Sequence, residues 1–180
     1  RLPWMVALAV AAALIAALVV PALRYIRQTL PPETRVDIVT PASDRPTDFA
    51  LSPDGRQIVF VASGDGASRL WLRPLATTTA QPLAGTEGAL YPFWSPESRA
   101  VGFFANGELR RIDLSGGAPQ TVAAAGNARG GTWNADGVLL FAPGNTGPVF
   151  RVPASGGPPV AVTTLAGQQG SHRLPSFLPD

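Results

Sequence analysis

The chain has 180 residues, of which 46% are apolar and 14% charged, with 19 glycines and 19 prolines. This composition supports a core and excludes a disordered chain, and so much Gly and Pro suits short strands joined by tight turns rather than helices. All fourteen basic residues are arginine and there is no cysteine, which excludes a P-loop lysine, a Schiff-base lysine, a disulfide framework and a thiolate metal site from these residues.

In chain order, the first element is the run Leu2 to Leu23, 22 positions without a charge. At about 1.5 Å per residue that run spans the ~30 Å hydrocarbon core of a bilayer. Trp4 and Tyr25 sit near its two ends, where interfacial aromatics anchor a span. The following RYIRQTLPPE has no small-residue cleavage site, so residues 1–27 are predicted to be a transmembrane helix with its flanks rather than a signal peptide. Residues 28–44 read as a stiff, Pro-rich linker and a first strand region. From Pro31 onward eleven arginines face twelve carboxylates, so the basic balance belongs to the N-terminal segment and no basic stripe for nucleic acid is present.

Residues 45–180 are periodic. The turn Ser52-Pro53-Asp54-Gly55 returns as Ser95-Pro96-Glu97-Ser98, as Asn134-Ala135-Asp136-Gly137 and as Leu178-Pro179-Asp180. The acidic positions 54, 97, 136 and 180 are 43, 39 and 44 residues apart, which is the length of a four-stranded propeller blade. An apolar or aromatic residue precedes each turn (Leu51, Trp94, Trp133, Phe177), and a β-rich strand follows it: QIVFVAS, AVGFFAN and GVLLFAP. Second strands come next as LWLRPL, ELRRIDL and PVFRVPA, then the Gly-rich turns at 115–119 and 155–159, then the third strands TVAAA and VAVTTL. The prediction is an all-β chain: a β-propeller fragment of about three four-stranded blades, preceded by one transmembrane α-helix. Each turn needs no site to explain it. Proline presets the first corner, Asp bonds back to nearby backbone N–H groups, and Gly takes the left-handed position. Ser98 replaces that Gly in the second unit, which predicts a looser turn there.

On the stretches FALSPDG, YPFWSPES, GTWNADG and LPSFLPD, the chain resembles the TolB-like, WD-repeat-like β-propeller family over about residues 45 to 180. In layout, one membrane helix, a Pro-rich linker and these repeats, it is similar to the C-terminal half of bacterial membrane-anchored serine/threonine protein kinases. That resemblance implies a cytoplasmic kinase domain upstream of Arg1 and an extracytoplasmic propeller on a single-pass anchor. A similar tail also follows winged-helix DNA-binding domains in some membrane-bound regulators. The first residue is Arg1 and the last residues, FLPD, fall inside a repeat, so the expectation is a piece of a longer protein. Three blades do not close a ring of roughly 4 to 8, so the strands at both ends are expected to lie unpaired and the inner blade faces to be exposed.

The sequence carries no catalytic, cofactor or metal constellation. The only histidine is His172, no Gly-x-Ser-x-Gly elbow occurs, and the twelve carboxylates are scattered. Ser63-Gly64-Asp65-Gly66 reads as a hairpin tip rather than a calcium loop. Trp71, Trp94 and Trp133 read as packing between blades. The family resemblance implies that the strand entering each turn lines the central channel. Registered unit on unit, Arg129 and Arg173 then fall at the same position in the loop before that strand, with His172 beside the second. Two arginines at the channel mouth suit an anionic ligand or a partner's carboxylates; the bland alternative is that they solvate a loop. The expected function is a binding or sensing module, without catalytic activity or cofactor, whose partner is a protein or small-molecule ligand at a propeller face. A periplasmic interaction scaffold and the sensor tail of a membrane-bound regulator are the alternatives. A third class, a propeller capping a serine peptidase, would need a hydrolase domain outside these residues.

Overall fold

The computed structural model describes residues 40–64 and 66–178, together with positions 4, 5, 8, 10, 14, 15 and 17–20. The chain divides into two compact units, Arg1–Asp37 and Ile38–Asp180. In the first unit the described positions are helical, apolar and exposed, among them Trp4, Leu8, Leu14 and Leu18. Among the described residues no helix is long and apolar enough to cross a membrane. The span expected over Leu2–Leu23 lies in large part outside the described residues, as do most of the linker and the last two residues of the turn at 178–180.

The second unit is three four-stranded antiparallel sheets, each a simple up-and-down meander. Sheet 1 holds β1 (Phe49–Leu51), β2 (Gln57–Ala62), β3 (Arg69–Pro74) and β4 (Gln81–Pro82). Sheet 2 holds β5 (Leu90–Trp94), β6 (Ala100–Ala105), β7 (Glu108–Asp113) and β8 (Gln120–Ala124). Sheet 3 holds β9 (Gly131–Trp133), β10 (Val138–Phe141), β11 (Phe150–Pro153) and β12 (Val160–Ala161). The first strands of successive sheets are neighbours, β1 beside β5 and β5 beside β9. The sheets therefore fan outward from β1, β5 and β9 as propeller blades do. The outer strands β4 and β12 are two residues long and contain or follow proline, which blunts an edge that would otherwise template further pairing.

The sheets stack because their second strands have no polar face. Alternation puts Val59 and Val61 of β2 on one side with Leu70 and Leu72 of β3. They meet Val101, Phe103, Ala105 and Ile112 of sheet 2 in one buried cluster. On the opposite side of sheet 2, Phe93, Phe104 and Leu109 pack with Leu139, Phe141 and Val152 of sheet 3. Trp94 adds a directional tie, its indole N–H donating to the Ala50 carbonyl of sheet 1 at 2.9 Å. Trp133 packs in the cluster between sheets 2 and 3.

Trp71 behaves differently from the expectation of packing between blades. It sits on β3 opposite Phe60, and its indole N–H donates to Ala62 O of its own sheet at 3.1 Å. With Leu75 and Ala80 it covers Ile58, Phe60 and Ala62, the side of sheet 1 turned away from sheet 2. That side of the first blade is buried, because a large side chain from the adjacent strand and the loop after it fold over it.

The repeated turns share one geometry built from three different residue sets. In the first, Ser52 Oγ accepts from Gln57 N at 2.9 Å and donates to Asp54 Oδ1 at 2.6 Å, while Asp54 Oδ1 accepts from Arg56 N. In the third, Asn134 fills both roles, its Oδ1 accepting from Val138 N and its Nδ2 donating to Asp136 Oδ2. Gly55 and Gly137 take positive φ of 68° and 72°, and Ser98 takes the same region at 58°. The second turn is therefore not looser: Ser98 N still bonds Ser95 O at 3.0 Å, and the Ser98 hydroxyl accepts from Asp54 N of the neighbouring sheet at 3.1 Å. That inter-sheet bond offsets part of the cost of a side chain in the left-handed region. The turn after Ser63 is the expected hairpin tip, with Gly66 N on Ser63 O.

The packing and the turns are each open to a direct test. The Phe93 ring lies between Gly102 of its own sheet and Gly131 of sheet 3, and a Cβ on Gly131 would sit 2.7 Å from that ring and 3.2 Å from Leu140 O. Gly131→Ala is expected to cost about 1–3 kcal/mol by overpacking, whereas Gly126→Ala, with open space around it, should change stability by less than about 0.5 kcal/mol; urea midpoints compare them. The turns respond to pH. The Ser52 hydroxyl, with Arg56 N–H next, holds the Asp54 carboxyl below its ordinary pKa, and Ser115 N–H and hydroxyl do the same for Asp113. A depressed carboxyl stabilises the fold above its ordinary pKa, and that contribution is lost as the pH falls through the lowered value. Urea midpoints should therefore fall on acidification below about pH 4, and less steeply in the double variant Asp54→Asn, Asp113→Asn.

Candidate functional site: the mouth of the channel

At the end of the sheets opposite the turns, four repeat units converge. The residue four places before the turn's first residue is Asp48, Tyr91, Gly130 and Leu174 in successive units. Three of these occupy the left-handed region, with φ of 47° at Tyr91, 89° at Gly130 and 50° at Leu174. At Tyr91 the register between β5 and β6 also shifts, between Leu90 and Phe93. The chain thus bends sharply as it enters each of these units, and the bends meet around a cleft of about 160 Å3. Its lining is 47–49, 91–92, 130–131 and 174–175, equivalent positions from all four units.

Hydrogen bonds tie the second and fourth entry loops to the unit before each. Leu174 N donates to Arg129 O at 2.9 Å, and the close approach needs the missing side chain at Gly130, where a Cβ would lie 3.2 Å from Leu174 Cα. Between the first two units a side chain makes the tie: Asp48 Oδ2 accepts from Tyr91 N at 3.3 Å. Asp48 is only 7% exposed and is the one charged residue in the cleft lining. Phe49 beside it is 57% exposed. Tyr91 stacks edge-on against Phe104, with ring centroids 6.5 Å apart, which fastens the mouth to the core between sheets 2 and 3.

The residues expected at the mouth flank the cleft rather than line it. Arg129 and Arg173 immediately precede the lining residues Gly130 and Leu174. The Arg129 guanidinium folds onto its own loop, Nη1 donating to Ala128 O at 2.8 Å and Asn127 Oδ1 at 2.9 Å. Arg173 donates through Nε to Ser171 Oγ at 2.8 Å and through Nη2 to Asn145 O at 2.7 Å. Among the described residues the ion pairs are Arg69–Glu87 and Arg110–Glu108, so neither arginine is matched there by a carboxylate. His172 lies between Thr163 Oγ1, 2.8 Å from Nδ1, and Gln169 Oε1, 3.1 Å from Nε2. The same Thr163 hydroxyl accepts from Val149 N, so His172 braces the loop that carries Arg173. Among the described residues no group of three His, Asp or Glu is placed to hold a metal ion. A second, wider groove of about 530 Å3 opens at the turn end beside Gln57, Ser98 and Arg99. It involves two units only, whereas the mouth gathers four.

No protein-family model matches this chain, and no curated protein is similar to it. Solved structures are. A protein assigned as TolB from Agrobacterium tumefaciens shares 19% identity at a TM-score of 0.59, over 66% of this chain and 46% of that one. TolB from Acinetobacter baumannii shares 21% identity at a TM-score of 0.55, over 65% of this chain and 32% of that one. A chain of the nidogen/laminin complex shares 9% identity at a TM-score of 0.53, over 64% of this chain and 46% of that one. The chain thus spans about half the length of the first and a third of the second. At such identities the likeness defines the fold, a TolB-like β-propeller, of which this chain contributes three blades.

Proposed function

We propose that this chain is the ligand-recognition part of a membrane-anchored sensor, binding a protein partner at the channel mouth of its propeller. The observation that carries the reading is the convergence of four repeat units on one cleft, flanked by Arg129 and Arg173 and braced by His172. The two guanidinium groups, unmatched by carboxylates among the described residues, suit acidic side chains of the partner. A similar fold occurs in the nidogen/laminin complex, an assembly of proteins. The apolar helical residues near the N-terminus support an anchor in the cell membrane, and the likeness in layout to membrane-anchored kinases favours a propeller on the extracytoplasmic side.

The layout of helix, linker and propeller favours a serine/threonine kinase domain upstream of Arg1, so that ligand binding outside alters the association of kinase domains inside. On this reading the propeller recognises and does not catalyse. The likeness to TolB favours a second reading, an envelope interaction scaffold without a kinase. The coding sequence upstream separates them: a Gly-rich loop followed by His-Arg-Asp and Asp-Phe-Gly motifs supports the kinase, and a winged-helix segment or an immediate start codon overturns it.

The chain has no cysteine, so Thr78→Cys at an exposed loop makes a single reporter. In intact cells it should react with a membrane-impermeant maleimide; reaction only after lysis would overturn the extracytoplasmic placement. In the same cells, chemical cross-linking should trap a partner protein that is lost in the double variant Arg129→Glu, Arg173→Glu. Retention of the partner by that variant would remove the arginines from the interface.

A further inference from the structure

The cleft itself has a chemistry that the flanking arginines do not share. Its single charged lining residue is Asp48, more than nine-tenths buried, with one carboxylate oxygen accepting from the Tyr91 amide. Burial of a carboxylate is costly unless a cation or several donors compensate it. The rest of the lining offers no charge, and Phe49 presents an exposed ring at the edge. Size narrows the occupant. About 160 Å3 equals roughly five water molecules and falls below the roughly 300–1,000 Å3 of a pocket for a drug-sized ligand. It admits the tip of one side chain.

We propose that the cleft receives a single lysine or arginine side chain of the partner polypeptide, its charge on Asp48 and its stem against the Phe49 ring. This rests on the reading of the mouth as a protein-binding face, and it assigns the centre of that face a cation where the rim takes carboxylates. A buried acid–base pair supplies register, and an aromatic edge adds cation–π attraction. The partner is thereby expected to present one basic residue surrounded by acidic ones.

The test uses the full chain in detergent micelles, titrated with the blocked amides of arginine, lysine and glutamine and with ethylammonium chloride, and followed by the amide resonances of Tyr91 and Gly130. The arginine or lysine amide should shift both resonances saturably, the neutral glutamine amide should not, and ethylammonium should bind at least about tenfold more weakly because it lacks the stem. Asp48→Asn keeps an acceptor for the Tyr91 amide while removing the charge, and should weaken binding by at least about tenfold. Phe49→Ala, which alters an exposed ring, should weaken it several-fold with the strand spectrum unchanged. Equal shifts with the glutamine amide, or undiminished binding by both variants, would overturn the proposal. Ethylammonium binding as tightly as the amides would overturn the side-chain occupant and assign the cleft to a free amine. If the probes fail to bind while Arg129→Glu, Arg173→Glu still abolishes the cross-link, the protein-binding face stands and the cation site falls. If the probes bind in an Asp48-dependent way while the arginine variant keeps its cross-link, the cation site stands and the arginine rim falls.

Discussion

The second strand of every sheet is apolar on both sides, and the rest of the structure depends on that. In β2 and β6 nearly every side chain is buried, odd and even positions alike. A sheet built on such a strand has no face for water and must be covered on both sides. Stacking Val59 and Val61 on Val101 and Phe103, and Phe104 on Leu139 and Phe141, satisfies sheets 1, 2 and 3 in series. Where no sheet follows the pattern outward, at the far side of sheet 1, Trp71 and the Leu75–Ala80 loop take the neighbour's place.

Stacking has a geometric consequence for function. Because each sheet is entered through its innermost strand, the loops leading into β1, β5 and β9 and into the fourth unit gather at one end. The turns gather at the other, joined by the Ser98 hydroxyl on Asp54 N. At the turn end, serine, asparagine and aspartate side chains are consumed in closing the chain on itself. The mouth is the reverse. Its backbone is held in the left-handed region by neighbours, its walls are short of side-chain partners, and a buried carboxylate sits among them.

Much of this is legible in the residues. The recurrence of Ser-Pro-Asp-Gly at blade-length intervals, each followed by an apolar run, predicts about three four-stranded blades, and the twelve strands among the described residues match. Arg129 and Arg173 are recognisable as equivalent by register, and each stands one residue from the lining. The cleft residue itself is not recognisable. Asp48 has no counterpart among Tyr91, Gly130 and Leu174, so comparison of units passes over it, and an aspartate before a strand looks like any turn residue. Trp71 and Ser98 mislead for a related reason. A tryptophan's partner and a serine's tolerance of positive φ depend on what lies across the gap, Ala62 O in one case and Asp54 N in the other.

Local chemistry determined the repeat. Proline, aspartate and glycine select a turn within four residues, and apolar alternation selects strands within six, so the order and number of blades are written along the chain. Which faces meet, which end becomes a mouth, and which single acid is buried there are relations between residues about 43 apart, such as Asp48 with Tyr91. Those relations exist only once the sheets stack, because burial is a property of the neighbours a residue acquires and not of the residue itself.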